Sequence, residues 1–164
     1  MIVISDTTPI ISLLKVHHLD LLQKLFGTVK IPLTVYNELV IDDRFYDEIA
    51  VLNECDFIEI DESIDIYAIK AFQNETGLDA GESAALILSK SLSADLLLID
   101  EMNGRETAKK MNIQYTGTIG MIVRAYKKSI LSKNDVESII NGLQRAGRYI
   151  SKNLYRMLIE TIEE

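Results

Sequence analysis

The sequence predicts an α/β fold, a parallel β-sheet flanked by helices in a three-layer α/β/α arrangement, with an extended C-terminal helical region. Three observations carry that prediction. Short, continuously apolar runs recur, notably Ile2–Ile4 and Leu96–Ile99, as suits strands covered on both faces. Segments of helical period separate these runs, which favours strand–helix repetition and parallel pairing. Acids stand just past two of them, Asp6 after the first and Asp100-Glu101 after the later one, at the carboxyl strand ends where open α/β sheets place their ligands.

The elements can be justified in order. The opening run stops at Ser5-Asp6-Thr7-Thr8-Pro9, where Thr7 or Thr8 can cap a helix and a proline fits its first turn. Residues 9–26 read as one or two helices with Ile10, Leu13, Leu14, Leu21, Leu22 and Leu25 as the apolar stripe. His17 and His18 fall at the bend and have no second ligand type at helical spacing, so they read as surface or cap residues. Gly27 ends this segment, Thr28–Ile31 is a short strand, and Pro32 opens a helix over Leu33–Ile41 that carries Glu38. Residues 42–53 are mixed, with helix the better description, and Phe57–Ile60 is a candidate edge strand.

Ser63 starts a helical region interrupted around Thr76-Gly77-Leu78, and Asp79 caps the next helix, Ala80–Ser89. Glu82 lies in its first turn, where the helix dipole favours an anion; a capping box with Asp79 would explain it equally well. After the strand Leu96–Ile99 come a short helix over 102–111, a strand over 113–115 ending at Thr116-Gly-Thr118, and a helix over 119–130. Residues 134–162 form one long helix or two in sequence. Val136, Ile140, Leu143, Gly147, Ile150, Leu154 and Met157 would make one apolar seam, with Arg145, Arg148, Lys152 and Arg156 on the opposite face. That pattern serves a helix packed on the domain, a dimer seam, or a guide for a phosphate backbone.

Composition bounds the function. With 164 residues, 48% hydrophobic and 26% charged, the chain fits one domain able to bury roughly 70% of its unfolded surface. No apolar run approaches the ~20 residues of a membrane span and Met1 leads straight into a strand, so no membrane partner and a cytoplasmic location are the default expectation. A single cysteine, Cys55, excludes intrachain disulfides and thiolate metal clusters. The net charge of −8 is split: residues 1–101 carry 19 acids and 6 Lys/Arg, residues 102–164 carry 6 acids and 11 Lys/Arg. Indiscriminate coating of nucleic acid is thereby disfavoured, whereas a local basic site is not.

The chemistry resides in the acids. Asp6, Asp100 and Glu101 at strand ends, with Glu38 and Glu82 from flanking helices, are the candidate catalytic residues, and Asp6, Glu82, Asp100 and Glu101 the candidate metal ligands. Carboxylates gathered without alternating Lys or Arg repel one another, and a divalent cation offsets that repulsion. An oxygen-only set suits Mg²⁺ or Mn²⁺ rather than Zn²⁺. Such an ion can activate water and stabilise charge on a phosphodiester. Thr7, Thr8, Thr116 and Thr118 could orient those ligands.

The chain resembles PIN-domain ribonucleases of the kind found in VapC-type toxins and their uncharacterised relatives. The resemblance rests on Ile2–Ile11, Ile31–Glu38, Leu78–Ala85, Leu97–Glu101 with Gly104-Arg105, and Thr116–Gly120, in the family's order. It implies a PIN-like nuclease domain over residues 1–130. Residues 131–164 would be a C-terminal helical extension, packed on the same domain or forming a dimer seam. It further implies metal-dependent RNA cleavage, frequent homodimerisation and often an antitoxin partner. Asp6 and Glu38 match the family's first two acids; Glu82 takes the third place, where many members have Asp. Either Asp100 or Glu101 takes the fourth, with Glu101 favoured as nearer the metal, and Ile99 replaces a usual Thr. Arg105, Arg145, Arg148, Lys152 and Arg156 are the candidate RNA contacts.

The competing expectation is a non-catalytic module that binds RNA or an antitoxin through the same groove. Phosphatase and phospho-receiver readings fail because Asp6-Thr7-Thr8 supplies no second acid at the first strand. No Gly-x-Gly-x-x-Gly or Walker loop follows any strand, which disfavours nucleotide-cofactor folds.

Overall fold

The computed structural model describes residues 1–164. Five short strands, β1 (Val3–Ser5), β2 (Val29–Pro32), β3 (Ile58–Asp61), β4 (Leu96–Leu98) and β5 (Tyr115–Thr116), pair in parallel in the order β3-β2-β1-β4-β5. The first half of the chain supplies α1 (Thr7–Lys15), α2 (Leu21–Phe26), α3 (Leu33–Ile41), α4 (Tyr46–Glu54) and α5 (Ile66–Thr76), with a 3₁₀ turn at Asp43–Phe45 before α4. The second half supplies α6 (Ala80–Ser91), α7 (Met102–Lys110), α8 (Thr118–Lys127), α9 (Lys133–Arg145) and α10 (Lys152–Glu163).

Strand alternation sorts the apolar side chains into two cores. Val3, Leu96 and Leu98 join a core shared with α1, α2, α3, α8, α9 and α10. Ile4, Leu97 and Ile99 point the other way, onto Ala85, Leu86 and Leu88 of α6 and Ala108 of α7. The β1 and β4 side chains are buried on both faces, hence the unbroken apolar runs. This is the three-layer α/β/α arrangement, with β3 at an edge and β1 central.

Strand order locates the ligand end of the sheet. From β1 the chain winds outward through β2 to β3, then returns to lay β4 on β1's free side. The winding direction therefore reverses between β1 and β4, and the crevice at the carboxyl ends of those strands is the natural binding place of such a sheet. The Asp6 N–H donates to the Leu98 carbonyl at 2.9 Å and closes the two strand ends together.

Two local expectations are corrected. Asp6, rather than Thr7 or Thr8, occupies the N-cap position of α1, because Thr7 already has helical conformation. Of the two forms expected for the C-terminal segment, it takes the one with two helices, and the continuous seam does not form. Gly147 adopts φ +81°, a left-handed conformation that ends α9 at low cost, and the Ser151 hydroxyl accepts the Leu154 N–H to start α10. Restarting the helix resets its phase: Leu158 and Ile162 carry the buried face of α10, whereas Met157 is 49% exposed. Val136, Ile140 and Leu143 of α9 are buried as the seam requires, and both helices add to the core formed by β1 and α1.

Candidate active site

Five acids act on one another at the carboxyl ends of β1 and β4. Asp6 follows β1 directly and is only 3% exposed. Its side chain makes no cap bond to α1. Burial pushes its pKa from 3.8 up to about 7, the charges of Asp79, Glu38 and Asp100 push the same way, and the Thr7 N–H opposes them.

Glu82 approaches from the first turn of α6. Asp79 caps that helix, its Oδ1 accepting the Glu82 N–H at 2.8 Å. The reciprocal half of a capping box is not made: Glu82 Oε2 is buried without a hydrogen-bond partner. Burial, then the neighbouring carboxyl groups of Asp79 and Asp6, push the Glu82 pKa up to about 8. Gly104 of α7 leaves room for it, since a Cβ there would lie 2.8 Å from Glu82 Oε2.

Glu38 on α3 is braced from two sides. Its Oε2 accepts the Thr7 hydroxyl at 2.7 Å, and its Oε1 accepts the Gly81 N–H at 2.9 Å. A Cβ at Gly81 would lie 2.5 Å from Glu38 Oε2, so glycine is what lets the carboxylate reach the backbone of α6. Partial burial still raises the Glu38 pKa, with Asp79 adding to the shift. Asp100 is held at the start of α8: Oδ1 accepts the Thr118 N–H and Oδ2 the Thr118 hydroxyl, both at 2.7 Å. Gly117 again provides the space, because a Cβ would stand 2.6 Å from Asp100 Oδ1.

Glu101 and Asp100 part at the end of β4. Alternation along β4 turns Ile99 onto the α6–α7 side, so Asp100 turns back across the strand ends towards α8. Glu101 then becomes the exposed cap position of α7 and makes no side-chain cap bond. Among the threonines, Thr7 and Thr118 hold acids, whereas Thr116 stands over Gly120 and Thr8 is half-buried without a bond to an acid. Asp79, read from the sequence only as a cap, faces Asp6, Glu38 and Glu82 electrostatically. Its spacing three residues before Glu82 was the available signal, and it reads equally as local capping.

Nowhere do three Asp, Glu, His or Cys side chains converge tightly enough to hold a cation as they stand. Glu38 and Asp100 are held by Thr7, Gly81 and Thr118. The residues nonetheless suit a hard divalent ion: the donors are all oxygen, one buried Glu82 oxygen lacks any partner, and no Lys or Arg forms an ion pair with these acids.

The candidate RNA contacts fall in two places. Arg105 on α7 lays its guanidinium over the Tyr115 ring, 5.3 Å from its centroid, with Nε buried and unpartnered. Arg145, Arg148, Lys152 and Arg156 lie around the break between α9 and α10. No helix is long and apolar enough to cross a membrane.

No curated protein matches the chain. The fold is similar to that in the crystal structure of PAE2754 from Pyrobaculum aerophilum, with a TM-score of 0.56 and 17% sequence identity over 77% of this chain and 96% of that one. A PIN-domain family model matches residues 2–164. PIN domains have a nuclease-type fold, are generally hydrolases, typically use divalent metals and act on nucleic acid. The family match spans nearly the whole sequence, and the chain belongs to the PIN-domain family.

Proposed function

We infer that the chain is a divalent-metal-dependent endoribonuclease that hydrolyses RNA phosphodiester bonds. The observation that carries this reading is the pairing of Asp6 and Asp100 at the two strand ends flanking the reversal in sheet winding, with the unpartnered Glu82 oxygen beside them. Asp6, Glu82 and Asp100 would hold Mg²⁺ or Mn²⁺. When bound, the metal supplies the positive charge that activates water and stabilises the phosphodiester during in-line attack.

The rest is work for the chain's own residues. Thr118 fixes the rotation of Asp100 through two donors. Glu38 ties the start of α1 to the start of α6 and so sets Asp6 relative to Glu82. With pKa values raised to about 7 and about 8, Asp6 and Glu82 are only partly ionised at neutral pH, and their remaining protons must leave before their oxygens can coordinate. Arg105 would meet a phosphate beside the cleft. Purified protein should cleave a mixed RNA pool with Mn²⁺ and lose that activity in EDTA and as Asp6→Asn. Equal cleavage by wild type and Asp6→Asn, or none by either, overturns the catalytic reading.

A role as the toxin of a toxin–antitoxin pair, with an antitoxin partner and a homodimeric state, extends the same reading. Growth arrest on expression, relieved by co-expression of a neighbouring gene, would test it. The second reading, a non-catalytic PIN module that binds RNA or an antitoxin, is favoured by the absence of three acids at ligating spacing. It predicts that Mn²⁺ leaves the melting temperature unchanged.

A further inference from the structure

The break between α9 and α10 builds a surface that the acid cleft does not use. Between Glu137 and Glu160 the sequence has no acid and four cations, Arg145, Arg148, Lys152 and Arg156, in a chain of net charge −8. None of the four forms an ion pair. Breaking the helix opens a hollow of about 540 Å³, lined by Gln144, Ile150, Lys152, Tyr155, Arg156 and Ile159, with Glu160 at its end. Its floor is apolar and aromatic, and its rim carries two cations one helical turn apart. Tyr149, beside it, is 89% exposed, and Tyr155 is 41% exposed.

We propose that this hollow is a second, non-catalytic RNA site, taking one unpaired base against Tyr155, Ile150 and Ile159 and the adjoining phosphates on Lys152 and Arg156. Tyr149 offers a second ring for the next base. The occupant follows from the chemistry: four cations on an otherwise acidic protein, with Glu160 the one acid in the lining, select a polyanion, and an apolar aromatic floor selects one with flat, exposed faces. Single-stranded RNA has both, and stacking on tyrosine tolerates any base. A double helix hides its bases and would leave the floor unused. The site extends the ribonuclease reading, since it would hold the substrate strand away from the cut, but it needs neither the metal nor the acids.

The test uses the full chain in EDTA, which silences cleavage, with a fluorescently labelled 12-nucleotide single-stranded RNA followed by anisotropy. Tyr155→Leu should weaken binding about tenfold, within the range for losing one stacked base. Lys152→Gln with Arg156→Gln should also weaken it and flatten the salt dependence by about 1.4 in log–log slope, two cations at roughly 0.7 each. Lys127→Gln with Lys128→Gln, an equal charge change at the end of α8, should bind as wild type. Unchanged melting temperatures separate lost contacts from lost folding. No binding by wild type, or equal loss from the α8 pair, overturns the site, as does loss of self-association in sedimentation with RNA affinity intact. Binding through the hollow without any cleavage in Mn²⁺ supports the site and removes the catalytic reading. Cleavage with RNA affinity untouched by the Tyr155 and Lys152/Arg156 variants does the reverse.

Discussion

Asp6→Asn should flatten the dependence of stability on pH. Asp6 has an ordinary pKa of 3.8 that folding raises to about 7. The folded state therefore binds its proton more tightly than the unfolded chain does. Stability from that proton is fully present below pH ~4 and is lost as pH rises through 7. At about 1.36 kcal/mol per pKa unit the whole effect is about 4 kcal/mol. Of this, roughly 2.5 kcal/mol falls between pH 5 and pH 8. Asparagine keeps the shape and removes the titration.

Urea unfolding of both proteins in EDTA reads the difference directly. Wild type should lose about 2.5 kcal/mol more than Asp6→Asn between pH 5 and pH 8, with m-values unchanged. Glu82, raised to about 8, keeps a pH dependence in the variant, so the comparison must be the difference between the two. Adding Mn²⁺ at pH 8 should restore stability to wild type alone, by about 2.7 kcal/mol at a hundred times the dissociation constant. Parallel stability curves for the two proteins, within about 0.5 kcal/mol, would show that Asp6 is not the desolvated acid described above.

Asp100→Asn should abolish stabilisation by Mn²⁺ while Glu101→Gln leaves it within twofold in apparent affinity; the reverse result, read by thermal melts across a metal titration, would shift the site by one residue. Thr118→Val removes one of two donors to Asp100 and should cost about 1–2 kcal/mol in urea unfolding, together with weaker metal stabilisation. Gly104→Ala places a methyl 2.5 Å from Ile99 Cδ1 and 2.8 Å from Glu82 Oε2 and should lower stability by about 1–3 kcal/mol through overpacking; a melting temperature unchanged from wild type would refute the contact.

The layers and the sheet were readable because burial on both faces leaves a direct mark. Val3-Ile4 and Leu96–Ile99 must be apolar at every position, since alternate residues enter different cores. Punctuation served equally well at Pro32, which precedes α3, and at Gly77, which ends α5. Where the reading failed, two signals competed. The apolar spacing from Val136 to Met157 ran through Gly147 with a helical period, and periodicity does not say whether a glycine continues a helix or ends it. Ser151, an N-cap type four residues later, was the stop-and-restart signal, and it outweighs the pattern because the cap satisfies a backbone donor that the break exposes.

The acid cleft divides along the same line. Residues that enter it from strand ends carry their placement in the local sequence, and Asp6 is the plain case. What supports them does not. Thr7 meets Glu38 across 31 residues, Gly81 meets it across 43, and Thr118 meets Asp100 across 18. Each contact depends on which helix the sheet order brings alongside, and no periodicity encodes that. The same dependence separates Asp100 from Glu101, because the turn of Ile99 into the α6–α7 core decides which acid faces α8. Asp79 shows the cost of reading a residue by its nearest role. Its cap bond to the Glu82 N–H is real, yet that bond uses a single lone pair, and the rest of the carboxylate's charge falls on Asp6, Glu38 and Glu82. A cap placed there holds the helix and loads the cleft with negative charge at once, which is the condition under which a divalent cation stabilises the fold most.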